Sequence, residues 1–128
     1  MAKVLGVGGV FFKSRNGDAV REWYGRVLGM EFTDWGGALF LPQTAAAHPG
    51  AATVFSSFKH DTDYFAPSDK EFMFNLMVDD LDAILAHAKA EGVEPVKHFP
   101  DEANGKFAHI MDLEGRKIEL WQPRPMSE

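Results

Sequence analysis

Glu119 stands between Ile118 and Leu120 in the stretch Asp112-Leu113-Glu114-Gly115-Arg116-Lys117-Ile118-Glu119-Leu120-Trp121. A strand alternates its faces, so if Ile118 and Leu120 enter a core, Glu119 points to the opposite side. A carboxylate placed there has three uses. It can bind a metal, or act as a catalytic acid or base if apolar neighbours such as Trp121 and Met111 raise its pKa. It can also serve as a structural acid bonded to an Arg, a Tyr or a ligand amine. Something must answer it, because an unpartnered buried acid is costly. His60 and His109 are the side chains that could join Glu119 in a 2-His-1-carboxylate set, suited to iron, manganese or zinc. Register decides whether they do. If Asp112 pairs with Lys117, Ile110 lies opposite Glu119 and His109 faces away; a bulge or longer turn reverses this.

Composition narrows the chemistry. The chain has 128 residues, 45% apolar, with 13 basic and 19 acidic side chains and a net charge of −6. That size favours a single domain, 1–128. The acidic balance and the lack of a basic patch argue against nucleic acid and anionic membranes as partners. There are no cysteines, which removes thiol nucleophiles, thiolate metal sites and disulfides together. No apolar run resembles a secretory signal or a membrane span, and the expected location is cytoplasmic.

The elements that must position Glu119 follow a repeated order. Residues 4–12 read as a strand, with Gly6, Gly8 and Gly9 allowing close backbone approach. A turn at 14–18 offers helix caps. Val20, Trp23, Tyr24, Val27 and Leu28 then mark one helical face that ends at Gly29. Residues 30–33, 38–41 and 52–58 read as three strands, with a loop over 42–50. After a polar connector, 60–70, the order begins again. It runs through a strand over 72–78, an Asp79-Asp80 cap and a helix with apolar face Leu81, Ile84, Leu85 and Ala88, stopped by Gly92. Strands follow over 95–99, 107–111 and 117–121, and a loose tail over 123–128. Each half is thus strand-helix-strand-strand-strand, a repeat of pattern and not of residues. The expected modules are about 4–59 and 71–122.

Trp23-Tyr24 with Leu28-Gly29-Met30-Glu31-Phe32, then Val78-Asp79-Asp80-Leu81-Asp82, then residues 112–123 together resemble the vicinal-oxygen-chelate superfamily. That group holds glyoxalase I, bleomycin-resistance proteins and extradiol dioxygenases. The resemblance implies an α+β fold in which two βαβββ modules form one curved mixed sheet around a cleft, and a homodimer whose cleft is often completed across two chains. It also implies a divalent metal held by first- and last-strand residues of each module. Here the first-strand positions are Gly9 and Met73, and the first module's last-strand position falls near Ser56. Only Glu119 matches. One carboxylate does not hold a catalytic metal strongly, so no cofactor is expected by the usual pattern.

The same alternation that points Glu119 into the cleft sends Met73 and Asn75 there if Phe72 and Phe74 face the helix. Gly9, Phe11 and Trp121 complete a ligand-binding lining, with His109 as a further candidate. Such a cleft is aromatic and weakly acidic, and suits a planar or amphipathic organic molecule. Tyr64 and Phe65, two aromatics in the polar connector, read as packing, a lid or a dimer contact. Three functions stay open. The first is a small-molecule-binding protein of the bleomycin-resistance type without a standard metal site. The second is a metal-dependent lyase, isomerase or dioxygenase with relocated ligands His60, His109 and Glu119. The third is a structural partner with a vestigial cleft.

Overall fold

A computed structural model describes residues 1–125. Its sheet has four strands. In chain order the elements are α1 (Gly17–Leu28), α2 (Pro42–Ala46), β1 (Phe74–Met77), α3 (Leu81–Ala90), β2 (Lys97–His98), β3 (Gly105–Met111) and β4 (Lys117–Pro123). The sheet order is β1-β4-β3-β2, with β1 parallel to β4 and the other pairs antiparallel. The second half is therefore a βαβββ unit.

The expected curved sheet built from two such modules is corrected here. The sheet is open, not curled around a cleft. Residues 4–12, 30–33, 38–41 and 52–58 form no strand, and α2 lies within the expected 42–50 loop. Their composition suits strands, but a strand needs a neighbour for its N–H and C=O groups, and among the described residues these segments have none. Met30 and Phe32 pack against the core, but most large side chains of the other segments stay outside it: Phe11 is 93% and Phe55 92% exposed. Pro123, expected to open a loose tail over 123–128, ends β4 instead, and the Arg124 N–H bonds the Asn104 carbonyl; residues 126–128 of that tail lie outside the described residues.

The first half contributes its helix. Asn16 caps α1 by accepting from the Ala19 N–H at 3.1 Å, and Gly29 closes it at φ 70°. Val20, Trp23, Tyr24 and Val27 are buried on one face, as a 3.6-residue period requires. In α3, Asp80 accepts from the Ala83 N–H, while Gln122 of β4 accepts from the Leu81 N–H at 2.8 Å. The two helices cover one sheet face. Ala108, Ile110, Ile118 and Leu120 are fully buried beneath Val27, Leu81 and Ala88. Each large aliphatic side chain buried there contributes about 1.5–3 kcal/mol. This layer fixes the sheet's orientation: with Ile118 and Leu120 inward, Lys117, Glu119 and Trp121 occupy the opposite face.

Candidate functional site: a carboxylate with three donors

The turn between β3 and β4 sets the geometry of that opposite face. The Asp112 N–H bonds the Arg116 carbonyl at 2.8 Å, enclosing a loop of Leu113, Glu114 and Gly115. Asp112 Oδ1 accepts from the Glu114 and Arg116 N–H groups. Gly115 sits at φ 86°, the left-handed position that a three-residue hairpin loop demands. The resulting register puts Met111 opposite Lys117, Ile110 opposite Ile118 and His109 opposite Glu119. The register pairing Asp112 with Lys117 is thus displaced by one residue, and His109 turns to the Glu119 face.

Both oxygens of Glu119 are engaged. Oε2 accepts from His109 Nε2 at 2.8 Å and from the Tyr64 hydroxyl, and Oε1 accepts from Asn75 Nδ2 at 2.8 Å. Burial pushes the Glu119 pKa up, but the hydrogen bonds from His109, Tyr64 and Asn75 outweigh it and leave it below the usual range. Burial, followed by the bond to Glu119, pushes the Tyr64 hydroxyl upward. Glu119 is therefore a carboxylate, and His109 Nε2 must carry the proton it shares. His109 is fully buried, and its Nδ1 has no partner.

Aromatic rings frame this pair. Tyr64 meets the His109 ring edge-on at 5.1 Å and stacks on Phe58, while Phe99 approaches His109 at 4.7 Å. Trp121 is buried on the same face, parallel to Phe107, and donates Nε1–H to the Asn104 carbonyl. Lys117 Nζ donates to the carbonyls of Tyr64 and Ala66 and so ties the connector to β4. Between connector and sheet lies a pocket of about 180 Å³, bordered by Asp63, Tyr64, Lys97, His109 and Lys117.

Of the residues expected at the site, the structure brings Asn75, His109 and Glu119 into one hydrogen-bonded group, with Trp121 on the same sheet face. Met73 is half-buried just before β1. Gly9 and Phe11 lie in an exposed segment, and the Phe11 ring fills the space beside Gly9. His60 is exposed, and among the described residues no three His, Cys, Asp or Glu side chains gather as a metal set. The relocated triad of His60, His109 and Glu119 is therefore not assembled. The superfamily's metal does not fit this donor set: Gly9, Met73 and Ser56 stand at its other positions, and Glu119 already accepts three hydrogen bonds.

Tyr64, Lys97 and Lys117 were not expected in these roles. Lys117 lies two positions before Glu119, so strand parity alone puts it on the same face. Lys97 reaches that face through its register with His109, which no local signal encodes.

Residues 9–121 match the family described as glyoxalase-like domain. No curated protein matches the sequence. Among solved structures, the chain is similar to TioX from Micromonospora sp. ML1, at 17% identity and TM-score 0.50, over 87% of this chain and 93% of that one. It also matches TnmS3, an antibiotic binding protein from Streptomyces sp. CB03234, at 31% identity and TM-score 0.37. That match covers 40% of this chain and spans only 41% of TnmS3. No helix among the described residues is long and apolar enough to cross a membrane. With the family match extending over most of its length, the chain belongs to the glyoxalase-like family of the vicinal-oxygen-chelate superfamily, with a site that lacks that superfamily's usual metal-binding residues.

Proposed function

We propose that the Glu119 face binds a small planar or amphipathic organic molecule without a standard metal. The observation that carries this reading is the saturation of Glu119 by His109, Tyr64 and Asn75. A carboxylate holding three hydrogen bonds from its own chain is organised for shape and polarity, and a cation would have to break those bonds first. Rings of Phe99, Phe107, Tyr64 and Trp121 supply apolar surface on the same side, and a few placed polar groups among aromatic walls are what small-molecule sites require. A second copy of this chain is the proposed protein partner. Support comes from the exposed apolar residues of 4–12, 38–41 and 52–58, among them Val4, Phe11, Phe40 and Phe55, which are more than a monomer ordinarily leaves in water.

The test is a thermal-shift screen of planar aromatic compounds, run beside metal analysis of protein purified without chelator and by light scattering for mass. Compounds that raise the midpoint for wild type and fail with Glu119→Gln support the reading. Stoichiometric metal that disappears in Glu119→Gln overturns it in favour of a metal enzyme.

A further inference from the structure

Beside the Glu119 cluster, one buried polar atom has no partner and one buried ammonium is answered only by carbonyls and the Tyr64 ring. His109 Nδ1 is buried and makes no hydrogen bond. Lys117 is 4% exposed, donates to two backbone carbonyls, and has no carboxylate within ion-pair distance among the described residues. An ammonium carries three N–H donors, so one is left. A buried charge without a counter-ion is costly, as is a buried imidazole nitrogen without a partner. His109 and Lys117 line the same pocket, and Lys97 adds a second cation to its lining.

We infer that this pocket takes the acidic hydroxyl of a one-ring molecule, a phenol, enol or carboxylic acid, with His109 Nδ1 accepting its proton and Lys117 and Lys97 holding the oxyanion. The inference rests on the small-molecule reading and adds a chemical class to it. In the binding step the ligand's O–H bond breaks and its electron pair stays on oxygen. The proton forms an N–H bond at Nδ1, while Nε2–H continues to donate to Glu119. The imidazolium so formed lies between two anionic oxygens, one from Glu119 and one from the ligand. Size agrees: a cavity of about 150 Å³ accommodates benzene, and this one is about 180 Å³. Charge agrees as well. The titratable groups facing His109 are Glu119 and Lys117 from β4, Lys97 from β2, and Asp63 and Tyr64 from the connector. Glu119 is already committed, so the two lysines exceed the one remaining acid. Burial, and then the Lys97 charge, depress the Lys117 pKa, and the charge of an oxyanion opposes both.

The probe is 4-nitrophenol, titrated by absorbance at a pH below its own pKa, with 4-nitroanisole as the ring that lacks the acidic proton. Wild type is expected to bind nitrophenol as the yellow phenolate, about tenfold tighter than nitroanisole, a difference of about 1.4 kcal/mol. In His109→Gln the amide still donates to Glu119 but accepts no proton, and the phenolate band is expected to vanish. The exposed substitution Lys97→Met leaves the core untouched and is expected to weaken nitrophenol alone, by a few fold. Unfolding midpoints confirm that both variants fold. Equal binding of the two probes overturns this inference and leaves the wider small-molecule reading standing. Binding of neither probe also overturns it, while the wider reading is decided by the compound screen with Glu119→Gln. A phenolate band that survives His109→Gln overturns His109 as the proton acceptor.

Discussion

Asp112 and Glu119 belong to one hairpin, and both carboxyl groups are held below the usual range, yet by different means. At Asp112, burial pushes the pKa up and is outweighed by bonds from the Tyr24 hydroxyl, the Arg116 guanidinium and two backbone N–H groups. Arg116 then reaches the Lys13 carbonyl and Glu114, and its guanidinium lies over the Phe12 ring at 4.5 Å. Asp112 is thus answered by a guanidinium, whose charge is permanent. Glu119 has no permanent cation. Its donors are an imidazole, a phenol and an amide, and the imidazole leaves its second nitrogen without a partner. A wider groove, about 720 Å³, adjoins the Asp112 end, but its Arg116 and Glu114 are already paired. Saturated ion pairing stabilises a turn, whereas adjustable donors with one vacancy suit recognition.

Breaking the Asp112 end should give the largest effect. Asp112→Ala leaves the Arg116 charge, whose side chain is 3% exposed, with Glu114 as its one remaining carboxylate, and removes the acceptor of the turn's two N–H groups. A loss of about 3–5 kcal/mol in chemical denaturation is expected, with nitrophenol affinity unchanged in the fraction that stays folded. A loss below about 1 kcal/mol would mean that the pair is solvated and the comparison fails.

Glu119→Gln should cost less. The amide oxygen can still accept from His109 and Tyr64, and the Asn75 amide can rotate to accept from the new NH₂. A loss of about 1–2 kcal/mol is expected in the same assay, together with loss of compound binding. A cost equal to that of Asp112→Ala would assign Glu119 to the framework.

The two ends also differ in what the sequence reveals. Helical periodicity places α1 and α3, and cap chemistry marks Asn16, Gly29 and Asp80, because these signals are local. The strands of the second half are also legible, since each finds a neighbour within its own half. Segments 4–12, 38–41 and 52–58 carry the same alternation but lack a partner strand, and composition cannot supply one. Glu119 is visible from parity alone. Its bond to His109 depends on a one-residue choice of register, decided by Gly115 and the two N–H bonds to Asp112. Tyr64 arrives from a connector with no periodicity at all, which is why its hydroxyl on Glu119 could not be anticipated.

Acid sharpens the contrast at the next level. Both carboxylates are depressed in the fold, so each contributes stability that is present above its unfolded pKa, about 3.9–4.3, and lost as pH falls through its lower folded value. Within that window the unfolded chain binds more protons, and stability rises with pH. Glu119→Gln removes one such group. Its stability curve should parallel wild type above about pH 5 and fall less steeply below, by at most about 1.4 kcal/mol per pH unit. Parallel curves throughout would show that the Glu119 pKa is not depressed in solution.

Tyr64→Phe should have the smallest effect and the most specific one. The ring keeps its stack on Phe58, at 5.4 Å, and its edge contact with His109. Only the hydroxyl donor to Glu119 is lost, at a cost of about 1 kcal/mol. With one donor fewer, the Glu119 pKa rises toward its unfolded value, so its share of the acid-labile stability shrinks. In a Glu119→Gln background the same substitution should cost about 0.5 kcal/mol less, because the charged acceptor is already gone. Tyr24→Phe, paired with Asp112→Asn, provides the matching cycle at the other end of the hairpin. There Arg116 fixes the carboxylate whether or not the phenol is present, so the coupling should be weaker. Equal couplings in the two cycles would mean that Tyr64 is as much framework as Tyr24. Zero coupling at Tyr64 would mean that the connector does not close over Glu119 in solution, and the pocket would then lose the wall formed by Tyr64.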